Sequence, residues 1–170
     1  MEGTAMATGS NQQIQAQASS KNLPVLQRVL VAHDTIKTCS TMAFSEMPRV
    51  SDEQADVIAA DLATLERGLA PSDPKAWAAV LGRLACLPSR SMAVLDRQGK
   101  AMMLADMAEA LCRSIPQDLI ETTRQRAMER CTFFPAPAEL IALVKPEITE
   151  RTIMRNTARM MLMKAGRTAQ

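Results

Sequence analysis

Apolar positions recur at intervals of three and four residues along most of the chain, and polar caps, prolines and glycines cut that pattern into segments of helical length. From Leu23 the apolar positions are Leu26, Val29, Leu30 and Ile36, then less regularly Cys39 and Met42, which predicts a first helix with Pro24 in its opening turn. Met47-Pro48-Arg49-Val50-Ser51 breaks it. Ser51-Asp52-Glu53-Gln54 then reads as a capping box, because a serine oxygen can take the N–H three residues on while Gln54 reaches back. Val57, Ile58, Leu62, Leu65 and Leu69 form the stripe of the second helix, stopped by Gly68 and Ala70-Pro71. Ser72-Asp73-Pro74 opens a third, carrying Trp77, Val80, Leu81, Leu84 and Leu87. Met92-Ala93-Val94-Leu95 predicts a short turn of helix, and residues 96–100 a connection. Met102, Met103, Leu104, Met107, Ala108, Leu111 and Cys112 follow at helical spacing up to Ile115-Pro116. A further helix from about Gln117 presents Leu119, Ile120, Thr123, Ala127, Met128 and Cys131.

No period-2 alternation flanked by hairpin dipeptides interrupts this series, so the pattern predicts an all-α fold: one compact bundle of six to seven helices. The organisation expected is a flexible, disordered tail over residues 1–22, a helical bundle over 23–146 and a basic C-terminal helix over 147–170. The tail is rich in Gln, Ala, Ser and Thr, with Ile14 its one large branched apolar residue. One continuous core is expected, because the helical pair before residue 72 buries too little surface to stand alone.

Composition narrows the chemistry. The 170 residues are 47% apolar and 22% charged with a net charge of +2, which favours a folded core over wholesale disorder. No apolar run approaches the roughly 20 residues of a membrane span. The N-terminal residues lack a basic region followed by an apolar one, so no secretory signal is visible and a cytoplasmic location is expected. The four cysteines, Cys39, Cys86, Cys112 and Cys131, lie 47, 26 and 19 positions apart, without the close pair that begins most zinc sites. They read as small buried hydrophobes, and neither a metal nor any other cofactor is expected. His33 is the only histidine and tyrosine is absent, which leaves little acid–base inventory beyond carboxylates and lysines. His33 reads as a helix-surface or core-edge residue and Trp77 as a core anchor. Six scattered glycines build neither a phosphate-cradling loop nor a nucleophile elbow, so no enzymatic activity is expected. Thirteen methionines read as flexible core filling or as an adaptable partner surface.

The most distinctive stretch is Arg126-Ala127-Met128-Glu129-Arg130-Cys131-Thr132-Phe133-Phe134-Pro135-Ala136-Pro137-Ala138-Glu139-Leu140, which holds two of the three phenylalanines. Pro135 ends an extended piece and Pro137 pre-sets the first turn of a helix. Glu139 lies in that turn, where its charge suits the helix dipole. Phe133 and Phe134 sit at the elbow, one or both packed under the flanking helices. This aromatic-proline elbow resembles that of the helical N-terminal domain of phage-encoded replicative-helicase loaders and similar small phage replication proteins. The resemblance covers about residues 74–146 and rests on Phe134, Pro135, Glu139 and Leu140. It implies a compact helical module and a more flexible C-terminal part that engages the helicase. The chain departs from that pattern in its extra helical pair before residue 72 and in its helical, basic C-terminus.

After Pro146, Glu147-Ile148-Thr149-Glu150 reads as the acidic first turn of a last helix. Beyond Glu150 come Arg151, Arg155, Arg159, Lys164 and Arg167 and no acid, whereas residues 1–150 carry 15 bases and 18 acids. Arg151, Arg155 and Arg159 share one helix face by their spacing of four. Three uses fit this segment: a solvated face offsetting an acidic body, contact with nucleic-acid phosphates, or docking into a protein groove or a second copy of the chain. The function expected first is a non-enzymatic phage-type accessory protein that binds a DNA replication component, the replicative helicase, as loader or inhibitor. The alternatives are a DNA-binding regulator using the basic helix and a small inhibitor that covers a host protein's surface. No membrane partner is expected, and self-association stays open.

Overall fold

The computed structural model of the chain describes residues 25–167, so the tail expected over residues 1–22 lies outside it. Among these described residues seven α-helices follow one another: α1 (Val25–Cys39), α2 (Asp52–Arg67), α3 (Pro74–Leu84), α4 (Arg90–Ala93), α5 (Arg97–Cys112), α6 (Ile120–Arg130) and α7 (Pro137–Lys164), with a 3₁₀ turn (Gln117–Leu119) ahead of α6. Among the described residues the only β-type pairing is an isolated bridge between Pro71 and Pro116. The fold is all-α, as the apolar spacing predicts.

Local chemistry sets most helix starts. The Ser51 hydroxyl accepts from Gln54 N at 3.3 Å and the Gln54 side chain accepts from Ser51 N at 2.9 Å, completing the capping box of α2. Asp73 accepts from Lys75 N at 2.9 Å and caps α3. Residues 96–100, expected as a connection, instead form the cap and first turn of α5. The Asp96 carboxylate accepts from Gly99 N at 2.7 Å and satisfies a first-turn donor despite the poor helix propensity of glycine there. Ser72, read as part of the α3 start, is buried and does different work. It accepts from the indole N–H of Trp77 at 2.9 Å and donates to the Ile115 carbonyl at 2.7 Å, tying α3 to the end of α5.

The apolar contacts divide into two clusters rather than one continuous core. Core one gathers Trp77, Leu81 and Leu84 of α3, Leu111 and Ile115 at the end of α5, Ile120 and Ala127 of α6, and Leu140 and Val144 of α7. Core two gathers Ile36 and Cys39 of α1, Ala55, Ile58, Leu62 and Leu65 of α2, Met47, and Met154, Ala158, Met161 and Leu162 of α7. The division follows from α7, whose 28 residues serve as a common spine, its first half packed in one core and its second half in the other.

That role explains a second departure. The helix expected to start after Pro146 is the continuation of one that begins at Pro137, with Pro146 inside it. An interior proline removes one hydrogen bond and costs about 3 kcal/mol. Burying each large aliphatic side chain returns roughly 1.5–3 kcal/mol, and Leu140, Val144, Met154, Met161 and Leu162 are all buried on the two sides of it. Tertiary packing therefore outweighs the local break.

Three smaller readings are settled by the same packing. Trp77 is fully buried. His33 sits at the edge of core two, its Nδ1 3.4 Å from the buried Asp61 carboxylate. Cys39 and Cys112 are buried and Cys131 is half-buried, but Cys86, expected inside, is exposed where the chain leaves α3.

Candidate partner-binding surface

The five C-terminal cations do not form one free basic face; the fold sends them to separate partners. Arg151 makes a two-pronged contact with Asp118, Nη2 to Oδ2 at 2.7 Å and Nη1 to Oδ1 at 3.0 Å, and Nη1 also reaches the Gly68 carbonyl at 3.0 Å. It thereby joins the 3₁₀ turn beside core one to the end of α2 in core two. The same guanidinium holds the Asp118 carboxyl below its ordinary pKa, chiefly by hydrogen bonding. Arg159 donates to Glu66 of α2, with Nε at 3.2 Å from Oε1. Lys164 donates to the Phe44 and Ser45 carbonyls at 3.0 Å each and to that of Met47, and lies 5.5 Å from the centre of the Phe44 ring. Arg167 pairs with Asp56 and, at 3.6 Å, with Asp52.

Arg155 differs. Its contacts of 3.1 and 3.2 Å are to the neutral side-chain oxygen of Asn156. It lines a polar cleft of about 200 Å³ together with Arg113, Ser114 and Thr152. Of the five C-terminal cations, this is the one with no carboxylate or backbone carbonyl partner among the described residues.

The elbow lies far from these groups. Phe134 packs on core one, and its N–H donates to the Pro88 carbonyl at 2.8 Å, pinning the elbow to the connection after α3. Pro135 is buried, Pro137 is the first residue of α7, and Glu139 accepts from Ala136 N at 2.7 Å to close the helix start. Phe133 points outward and is 59% exposed. At 1.5 Å per residue, the length of α7 puts the elbow and Lys164 about 40 Å apart. Elbow and basic segment are therefore two separate surfaces.

Between them, at the waist where the cores meet, α7 and the end of α1 frame a groove of about 490 Å³. Ala142, Pro146, Ile153 and Met154 supply its apolar lining, with Lys37 and Lys145 at its edges. Lys37 is paired with Glu150 at 3.4 Å, and both side chains are largely exposed. Lys145 has no hydrogen-bond or ion-pair partner among the described residues. The sequence reading did not find this groove. The available signal was Pro146, taken as a helix boundary rather than as an interior residue on an outward face.

On the opposite side of α7, Arg126 of α6 donates to the Leu143 carbonyl at 2.6 Å and pairs with Glu147, whose carboxyl it holds below the ordinary value. Among the described residues no group of three or more His, Cys, Asp and Glu side chains is placed to hold a metal ion, and no helix is long and apolar enough to cross a membrane. No known protein family, curated protein or solved structure matches the chain.

Proposed function

We propose that this protein is a non-enzymatic accessory factor of phage type that acts by contact with a protein partner in the DNA replication machinery, the replicative helicase. One observation carries the reading. Four of the five C-terminal cations are committed inside the molecule, to Asp118, Glu66, Asp56 and the carbonyls of residues 44–47. Nucleic-acid binding draws its affinity from basic side chains that neutralise phosphates, and four of these five already face acceptors of the chain itself, so each phosphate contact would gain only the difference between two partners. A groove of about 490 Å³ on α7 has instead an apolar floor of Ala142, Pro146, Ile153 and Met154, the kind of surface that protein contact uses. The resemblance of residues 74–146 to helicase-loader domains supplies the identity of the partner.

The test is gel filtration of the purified protein mixed with a purified bacterial replicative helicase. Co-elution at a stoichiometry fixed by the helicase hexamer supports the proposal, and separate elution at micromolar concentrations of both contradicts it.

A further inference from the structure

The groove at the waist has a chemistry that specifies its occupant. Its floor is apolar, from Ala142, Pro146, Ile153 and Met154, and Ile153 is 45% exposed beside the buried Met154. Its rim carries one cation without a partner among the described residues, Lys145, and a second, Lys37, held there by an exposed pair with Glu150. Exposed pairs of that kind are worth about 0.2–1 kcal/mol and exchange readily. Pro146 adds a third feature. Having no N–H, it leaves the Ala142 carbonyl without its donor four residues on, and both residues line the groove. The site thus offers an apolar floor, a locally interrupted helix ladder and positive charge, with a volume in the range that encloses ligands or anchoring side chains.

From this charge complementarity we infer that the groove between the end of α1 and the middle of α7 is the docking site for an acidic amphipathic helix of the partner protein. The inference rests on the partner-binding reading above and names the surface it uses. Apolar side chains one turn apart on the incoming helix fill the space over Ile153 and Met154. A carboxylate beside them meets Lys145 and competes with Glu150 for Lys37. A helix is the fitting form because the walls are helices and no strand edge exists among the described residues for an extended peptide to join. The site touches both halves of α7, so an occupied groove also braces the two cores against each other.

The experiment is a nitrogen–proton NMR titration of the full chain with a stapled helical peptide bearing leucines at i and i+4 and flanking glutamates, alongside the same peptide with lysines in place of the glutamates. Shifts centred on Lys37, Lys145, Ile153 and Met154 are expected. The lysine peptide and the variant Lys145→Glu should each weaken binding about tenfold or more, because like charges then face each other. Ile153→Asp should abolish it. Both substituted side chains are exposed, so the variants should keep the wild-type spectrum elsewhere. Shifts that map elsewhere, or affinity indifferent to peptide charge, overturn the inference. The helicase separates it from the wider reading. If the peptide occupies the groove but helicase does not bind, the site stands and the helicase assignment falls. If helicase binds wild type and Ile153→Asp equally, the assignment stands and the groove falls.

Discussion

The two cores that share α7 are built by different means. Core one is organised around a fully buried tryptophan whose indole N–H is satisfied by Ser72, with leucines and isoleucines from four helices packed about it. Core two has no aromatic side chain among its buried residues; it is filled by alanine, methionine, isoleucine, leucine and Cys39. Its margin is stitched by charge, through Arg159 to Glu66, Arg167 to Asp56 and Lys164 to the carbonyls after α1. Apolar burial is insensitive to salt, whereas exposed ion pairs are screened within about 8–10 Å at physiological ionic strength. The basic C-terminus is on this view a fastening for the smaller core. Within the fold, two of its arginines meet Glu66 and Asp56 of α2.

The most severe way to break that contrast is at core one. Trp77→Ala removes the largest buried side chain and the donor that Ser72 accepts from, and should cost about 3–5 kcal/mol, read as a lowered urea midpoint. A loss below about 1 kcal/mol would mean that Trp77 does not organise this core.

A gentler probe addresses core two. Replacing Arg159 and Arg167 together by alanine should cost about 1 kcal/mol at low salt, since each pair is exposed enough for only 0.2–1 kcal/mol, and the cost should shrink as salt is raised. Hydrogen exchange should place the faster opening in α1 and α2 and leave α3 unchanged. Equal opening of both cores would merge them into one cooperative unit.

The smallest effect expected is at acid pH. Arg151 lowers the pKa of Asp118 and Arg126 lowers that of Glu147, so near pH 4 the unfolded chain binds more protons than the native one. The stability these carboxylates contribute is complete above their ordinary values and drains away as pH falls through the lowered ones. Asp118→Asn should flatten that part of the stability profile, measured by urea unfolding from pH 6 downward to about pH 3. An unaltered slope would remove the Arg151 contact from the account.

Sequence alone revealed what depends on neighbours within a turn or two. The Ser51 box, the Asp73–Pro74 start and the Pro137–Glu139 start all rest on local donors and acceptors, and they appear where the side chains put them. Asp96 was legible in principle, but Gly99 masked a helix start that the aspartate cap secures. Contacts across long separations were not legible. The spacing of Arg151, Arg155 and Arg159 sets a shared face, but Glu66 and Asp118, which meet that face, lie 93 and 33 residues away. Pro146 misled for the same reason, because the burial that carries the helix through it comes from two distant sets of helices. The waist groove follows from both, and so escaped notice.

The central claim, that the C-terminal cations serve the fold and that function runs through protein contact, meets its most direct test in fluorescence anisotropy of labelled single- and double-stranded DNA titrated with the full chain at low salt. No saturable binding is expected, and Arg151→Ala or Arg159→Ala should leave the titration unchanged. Tight binding that weakens steeply with salt, with a log–log slope that drops by about one for each arginine removed, would contradict it.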